Sequence, residues 1–139
     1  MTPKEILLLT RPLHLLYVED EQNIRQTSLE LFENFFDTIS TAENGFLGLE
    51  RYKEGGIDII ISDISMPVMD GIDFLTYVRQ KEENIPLIIY SAWNNASSMP
   101  ACIALNIDAY LLKPIQMKNI LEVLEKIACN KMLQKTATL

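Results

Sequence analysis

Cysteine and histidine are scarce in this 139-residue chain, with two cysteines, Cys102 and Cys129, and one histidine, His14. The cysteines are far apart, form no CxxC pair and have no histidine beside them, which fits reduced thiols and not a disulfide or zinc site. His14 lies inside an apolar run and reads as structural. The five glycines match neither GxGxxG nor GxxxxGK, so a glycine-rich phosphate cradle is excluded. No apolar run approaches the ~18 residues that span a bilayer. Ile6 to Leu9 are followed almost at once by Arg11 and Pro12, a poor secretory signal, and the expectation is a cytoplasmic protein with no membrane partner. Positive charge is also in deficit: 12 Lys and Arg stand against 19 Asp and Glu, a net −7. The basic residues are scattered, so no face suits direct binding to a nucleic acid.

What is present fits one domain with a real core, at 48% apolar residues. From Leu13 onward short apolar runs alternate with segments of helical period. Strands are expected at 13–18 (LHLLYV), 38–42 (TISTA), 59–62, 86–91 (PLIIYS) and 108–112 (DAYLL). Between them Ile24, Ser28, Leu31 and Phe35 share one helical face, as do Ile72, Leu75 and Val78 within 71–81. Ile120, Val123, Leu124 and Ile127 do so within 116–128. Asn44 is a candidate N-cap for a helix that stops at Gly55-Gly56, and the polar 38–42 strand suits a sheet edge. Five strands alternating with five helices over short connections imply a doubly wound parallel sheet with helices on both faces. The first dozen residues stand outside this rhythm. Thr2-Pro3-Lys4-Glu5 has the order of a capping box, so residues 1–12 form either a short extra helix or a frayed arm.

The acids fall at strand ends, where open parallel sheets bind ligands. The stretch DIIISDISMPVMDG (58–71) is a core strand that stops at a carboxylate, Asp63, and the first strand runs into Glu19-Asp20-Glu21. If these strands are neighbours, a strand spacing of ~4.8 Å gathers Glu19, Asp20 and Asp63. Like charges ~4 Å apart cost about 4 kcal/mol at an effective dielectric near 20, so a cation is required. An all-oxygen, partly hydrated pocket suits Mg²⁺. Ser91 adds a hydroxyl after the fourth strand and Lys113 an ammonium after the fifth. A carboxylate flanked by a metal and a lysine is placed to act as a nucleophile toward a phosphoryl group.

Over Leu13 to Ala128 the chain resembles the receiver domain of two-component response regulators. The resemblance rests on YVEDE (17–21), DISMPVMDG (63–71), YSA (90–92) and YLLKP (110–114), in order and at family spacing. It implies a flavodoxin-like sheet of strand order 2-1-3-4-5 over a receiver domain at 13–130, with a tail at 131–139. It implies that Asp63 accepts a phosphoryl group from a sensor histidine kinase or a histidine phosphotransfer protein. Asp20 would hold Mg²⁺ directly, Glu19 largely through water, and the Ser65 carbonyl would complete the set. Lys113 would pair with the phosphoryl group, Ser91 would bond one of its oxygens, and Tyr110 would be the aromatic switch that follows Ser91. The Lys113-Pro114 bond is expected to be cis. The helix expected from about 98–100, the strand at 108–112 and the helix at 116–128 would form the face that changes affinity for a downstream effector, a fused output domain or a second copy. Such a domain is a signalling switch that catalyses its own phosphorylation and dephosphorylation, not a turnover enzyme.

Each residue taken alone also suits a blander role. Asp20 suits an N-cap, Glu21 a first-turn charge, Ser91 a turn, Tyr110 a strand and Lys113 a solvated surface. A phosphohydrolase with an aspartate nucleophile would want a second acid where Ser65 stands, and a flavin phosphate would be repelled by Glu19-Asp20-Glu21. Three departures from the family pattern carry expectations. Asn106 replaces a frequent glycine and suits a left-handed helix end. Pro100 should delay its helix until about 98–100, since proline belongs in a first turn. Trp93 sits where water access to the phosphoryl group would be tuned.

Overall fold

The computed structural model describes residues 1–92 and 96–137, with residue 96 and residues 131–137 described by backbone alone. Trp93 therefore lies outside the described residues. Five parallel strands, β1 (His14–Val18), β2 (Thr38–Ala42), β3 (Ile59–Ser62), β4 (Leu87–Ser91) and β5 (Ala109–Leu112), form one sheet in the order β2-β1-β3-β4-β5. The helices are α1 (Pro3–Thr10), α2 (Gln22–Phe32), α3 (Gly45–Lys53), α4 (Gly71–Lys81), α5 (Met99–Ala104) and α6 (Met117–Ala137), with a 3-10 turn at Ala96–Ser98.

Strand pleating divides the core. Leu16, Val18, Ile60, Leu87 and Ile89 point to the side covered by α3, α4 and α5, where Leu49, Phe74, Leu75, Val78 and Cys102 meet them. Leu15, Tyr17, Ile59, Ile61, Ile88 and Tyr90 point to the other side, against Ile6 of α1, Phe32 of α2 and Ile120, Leu124 and Ile127 of α6. Strands with helices on both faces need apolar residues at successive positions, which is why β3 and β4 read as unbroken Ile/Leu runs. Each fully buried aliphatic side chain stabilises the fold by about 1.5–3 kcal/mol.

The helix ends follow their local chemistry. Thr2 and Glu5 form the reciprocal capping box that starts α1, so residues 3–10 are an ordered helix and not a frayed arm. Among the described residues the α-helices thus number six, one more than the alternation of strands and helices predicts. Asn44 caps α3 through a bond from the Leu47 amide, and Gly55 and Gly56 follow its end with positive φ. Pro100 occupies the first turn of α5, which begins at Met99, so this helix does start late. Asn106 takes φ 53° just beyond it, the left-handed conformation that asparagine tolerates.

Three local expectations need correction. Glu21 is the N-cap residue of α2, not a first-turn charge, and Asp20 precedes the cap. Phe35 lies past the end of α2, buried in the following turn, and Phe32 with Ser28 forms the buried stripe of the helix. The closing helix, expected at 116–128, continues to Ala137, because no proline or glycine interrupts its helix formers after Met117.

Candidate functional site

Three backbone hydrogen bonds extend the parallel ladder one residue beyond the strands and pin the tips together. The Glu19 amide donates to the Ala42 carbonyl at 3.0 Å, the Asp63 amide to Val18 at 3.0 Å and the Lys113 amide to Ser91 at 3.0 Å. Since β3 lies between β1 and β4, Asp63 is held centrally, with Glu19 and Asp20 on one flank and the β4 and β5 tips on the other. One oxygen from each of Glu19, Asp20 and Asp63 falls within 4.8 Å of the others. Glu19 is 0% exposed and Asp63 5%.

Lys113 closes the cluster. Its ammonium donates to Asp63 Oδ2 at 3.0 Å and forms an ion pair with Glu19 Oε1 at 2.6 Å. That Glu19 oxygen has no partner at good hydrogen-bond angles among the described residues. Asp63 Oδ1 accepts the Ile64 amide at 2.7 Å, and Glu19 Oε2 accepts the Glu21 amide at 3.3 Å. Burial, then the negative charge of Asp63, pushes the Glu19 carboxyl up to about 7 against the opposing pull of Lys113. Burial alone would lower the Lys113 ammonium, but Glu19 and Asp63 outweigh it and the net shift is upward. One ammonium thus leaves the cluster short of positive charge, and an all-oxygen donor set that lacks charge compensation fits a hard divalent cation such as Mg²⁺.

Asp20 opens onto a cleft of about 560 Å³ that is also lined by Ser65, Pro67 and Asp70. Ser65 is exposed there, on the loop that leaves β3. That loop is held close, since the Gly71 amide donates to the Ile64 carbonyl at 2.7 Å. A Cβ at Gly71 would lie 1.8 Å from the Asp63 carbonyl oxygen, so only glycine permits this approach. Ser91 is buried at the tip of β4. Tyr110 is half-buried on β5, and burial raises its phenol. The Lys113-Pro114 bond is cis.

Residues 15–125 match the family model of the response regulator receiver domain. The chain belongs to that family. Phosphorylation-activated two-component signalling is the standard function of these receivers. Among relatives, the chemotaxis protein CheY of Bacillus subtilis is 33% identical over 113 residues, 81% of this chain and 94% of the relative. The regulator of RpoS of Escherichia coli K12 is 32% identical over 114 residues, 80% of this chain but 34% of that longer protein. The response regulator TrrA of Thermotoga maritima, solved in complex with Mg²⁺-BeF, superimposes with a TM-score of 0.72 at 31% identity, covering 83% of this chain and 98% of that one.

The receiver fold therefore brings Glu19, Asp20, Asp63 and Lys113 into one hollow, with Ser91 at the adjoining tip of β4 and Ser65 on the rim, while Tyr110 lies within β5, paired with Ile89 and short of the tip. His14 bonds Ser40 Oγ through Nε2 at 2.7 Å, at the far end of the strand from the acids, in keeping with a structural role. Sequence reasoning passed over Arg25, whose guanidinium holds the Glu19 carbonyl at 2.7 Å. It also passed over Tyr90, whose ring faces Lys113 at 5.4 Å. A helical arginine gave no signal, whereas the two-residue pleat period placed Tyr90 on the sheet face of the acids. Among the described residues no helix is long and apolar enough to cross a membrane.

Proposed function

We propose that Asp63 is the phosphoacceptor of this receiver, taking its phosphoryl group from a phosphohistidine on a sensor kinase or phosphotransfer protein. An Asp63 carboxylate oxygen attacks phosphorus, the N–P bond breaks, and the histidine leaves with a proton in place of the phosphoryl group. Return to the starting state is the attack of water on the same phosphorus, which releases inorganic phosphate and restores the carboxylate. Both steps are autocatalysed by the domain. The reading is carried by one observation: a carboxylate 5% exposed that shares its tip with two further acids and an ammonium 3.0 Å away.

Asp20, Glu19 and the Ser65 carbonyl, with Asp63 itself, would hold Mg²⁺. When bound, Mg²⁺ supplies positive charge that screens the oxygens of the incoming phosphoryl group. Lys113 supplies the second positive charge, already ion-paired with the carboxylate that reacts. The Ser91 hydroxyl, at the tip of β4, would bond a phosphoryl oxygen, and Tyr110 on the neighbouring strand would turn inward as Ser91 moves. The exposed Met99 and Ile103 of α5, Leu112 of β5 and Met117 of α6 would form the surface whose affinity changes, for an effector, an output domain or a second copy. We read 13–130 as the switching unit, cytoplasmic in location, with α1 added before it and 131–139 as its tail.

Intact mass after incubation with Mg²⁺ and acetyl phosphate tests the assignment. The wild type should gain one phosphoryl group and Asp63→Asn none. Equal labelling of both would move the chemistry to another residue.

A further inference from the structure

Pleating places a particular layer under the charged one. Glu19 continues the face of Tyr17, Asp63 that of Ile61, and Lys113 that of Leu111, while Tyr90 points to the same face from β4, paired in register with Leu111. Beneath the site that face carries two aliphatic side chains, Ile61 and Leu111, and two tyrosines, Tyr17 and Tyr90. The Tyr90 ring is 2% exposed, and its centroid lies 5.4 Å from Lys113 Nζ, inside the ~6 Å range at which a ring face attracts an ammonium.

Three contacts fix that ring. Its hydroxyl pairs with Ser28 Oγ of α2 at 3.2 Å, Phe32 meets it edge-on with centroids 6.3 Å apart, and Tyr17 lies tilted beside it at 6.3 Å. Packing alone does not call for a tyrosine at this point. Its strand neighbours are Ile88 and Ile89, and an aliphatic residue at position 90 would need no buried hydroxyl or partner for it. Lys113 supplies the missing reason. Its carboxylate partners, Glu19 and Asp63, leave its inner side facing the core. An aliphatic wall there would desolvate the ammonium without recompense, whereas the negative ring face receives it.

We propose that Tyr90 is a positioning residue for phosphoryl transfer: its ring, held against Phe32 and Tyr17, is the platform that keeps the Lys113 ammonium aimed at Asp63. This rests on Asp63 being the phosphoacceptor. The platform matters because a lysine stem has four rotatable carbons and loses orientation when a contact is withdrawn. If Glu19 turns toward another cation, the Tyr90 face still holds the ammonium beside Asp63.

The test uses the full chain as wild type, Tyr90→Phe, Tyr90→Leu and Asp63→Asn. In the metal-free protein, carbon-proton NMR of Lys113, assigned with Lys113→Arg, should show its ε-methylene protons moved upfield by the ring. The shift should persist in Tyr90→Phe and vanish in Tyr90→Leu. Phosphorylation by acetyl phosphate at saturating Mg²⁺ should slow about threefold to tenfold in Tyr90→Leu and stay within about twofold of wild type in Tyr90→Phe. An unshifted Lys113 in the wild type overturns the proposal. So does a Tyr90→Phe variant as slow as Tyr90→Leu, or a folded Tyr90→Leu labelled at the wild-type rate. Should Tyr90→Leu fail to fold, the Lys113 shift in wild type and Tyr90→Phe decides. A wild type labelled no more than Asp63→Asn would fail the phosphoacceptor reading instead, and the Lys113 shift would still report on the platform.

Discussion

Glu19→Gln should make the metal-free protein more stable at neutral pH, although it deletes one partner of a buried ion pair. Glu19 is fully buried, and its carboxyl titrates at about 7 in the folded chain against an ordinary value of 4.5. The unfolded chain therefore gives up this proton near pH 4.5, while the folded chain keeps it until about pH 7. Across that window the folded state binds more protons, so stability falls as pH rises, and the loss is complete above the folded value. At 1.36 kcal/mol per unit the shift is worth about 3 kcal/mol. Glutamine keeps the shape of the neutral side chain and does not titrate. Urea denaturation in a chelating buffer should thus give a variant-minus-wild-type difference that grows by about 3 kcal/mol between about pH 4.5 and pH 8. Adding Mg²⁺ should restore the wild type at pH 8 much more than the variant. Parallel pH curves, or a variant less stable at pH 8, would refute the reasoning. The Lys113 contact would then outweigh burial of the carboxylate.

Three further outcomes follow from geometry. Val68, 82% exposed, holds φ at 70° while the Met69 amide bonds the Pro67 carbonyl at 2.8 Å, a γ-turn that a β-branched residue strains. Val68→Gly should therefore raise stability by about 1 kcal/mol in chemical denaturation, and a loss would show the conformation to be unstrained. Gly71→Ala forces a carbon against the Asp63 carbonyl and should cost more than about 3 kcal/mol; an unchanged melting transition would contradict the close approach. The buried Tyr17 hydroxyl has no hydrogen-bond partner among the described residues, so Tyr17→Phe should stabilise by about 1 kcal/mol, and a measured loss would reveal a bond to that oxygen.

Local chemistry carries most of the element assignments. The unbroken Ile59 to Ser62 run, the Asn44 cap, the Thr2 to Glu5 capping box and Pro100 in a first turn each act over a few residues, and each emerges in the structure as its chemistry dictates. Where a competing signal existed, the local reading slipped. Phe35 keeps helical spacing with Ser28 and is buried, but α2 ends at Phe32 because tertiary burial of the turn satisfies Phe35 just as well. The candidate acids and the lysine were legible because packing does not call for a charge at the tip of a buried apolar strand, where desolvation opposes it. The roles proposed for them rest on four motifs at family spacing.

By itself, then, the sequence determined where strands and helices form and that carboxylates and an ammonium end several strands, since periodicity, caps and breakers are written in neighbouring residues. Only the tertiary structure decided that the tips converge to within 4.8 Å. It alone set the Glu19 ion pair with Lys113 at 2.6 Å and Tyr90 beneath that ammonium. Those distances depend on strand order, register and pleat phase together, which are set by packing summed over segments remote in the chain and not by any residue's neighbours.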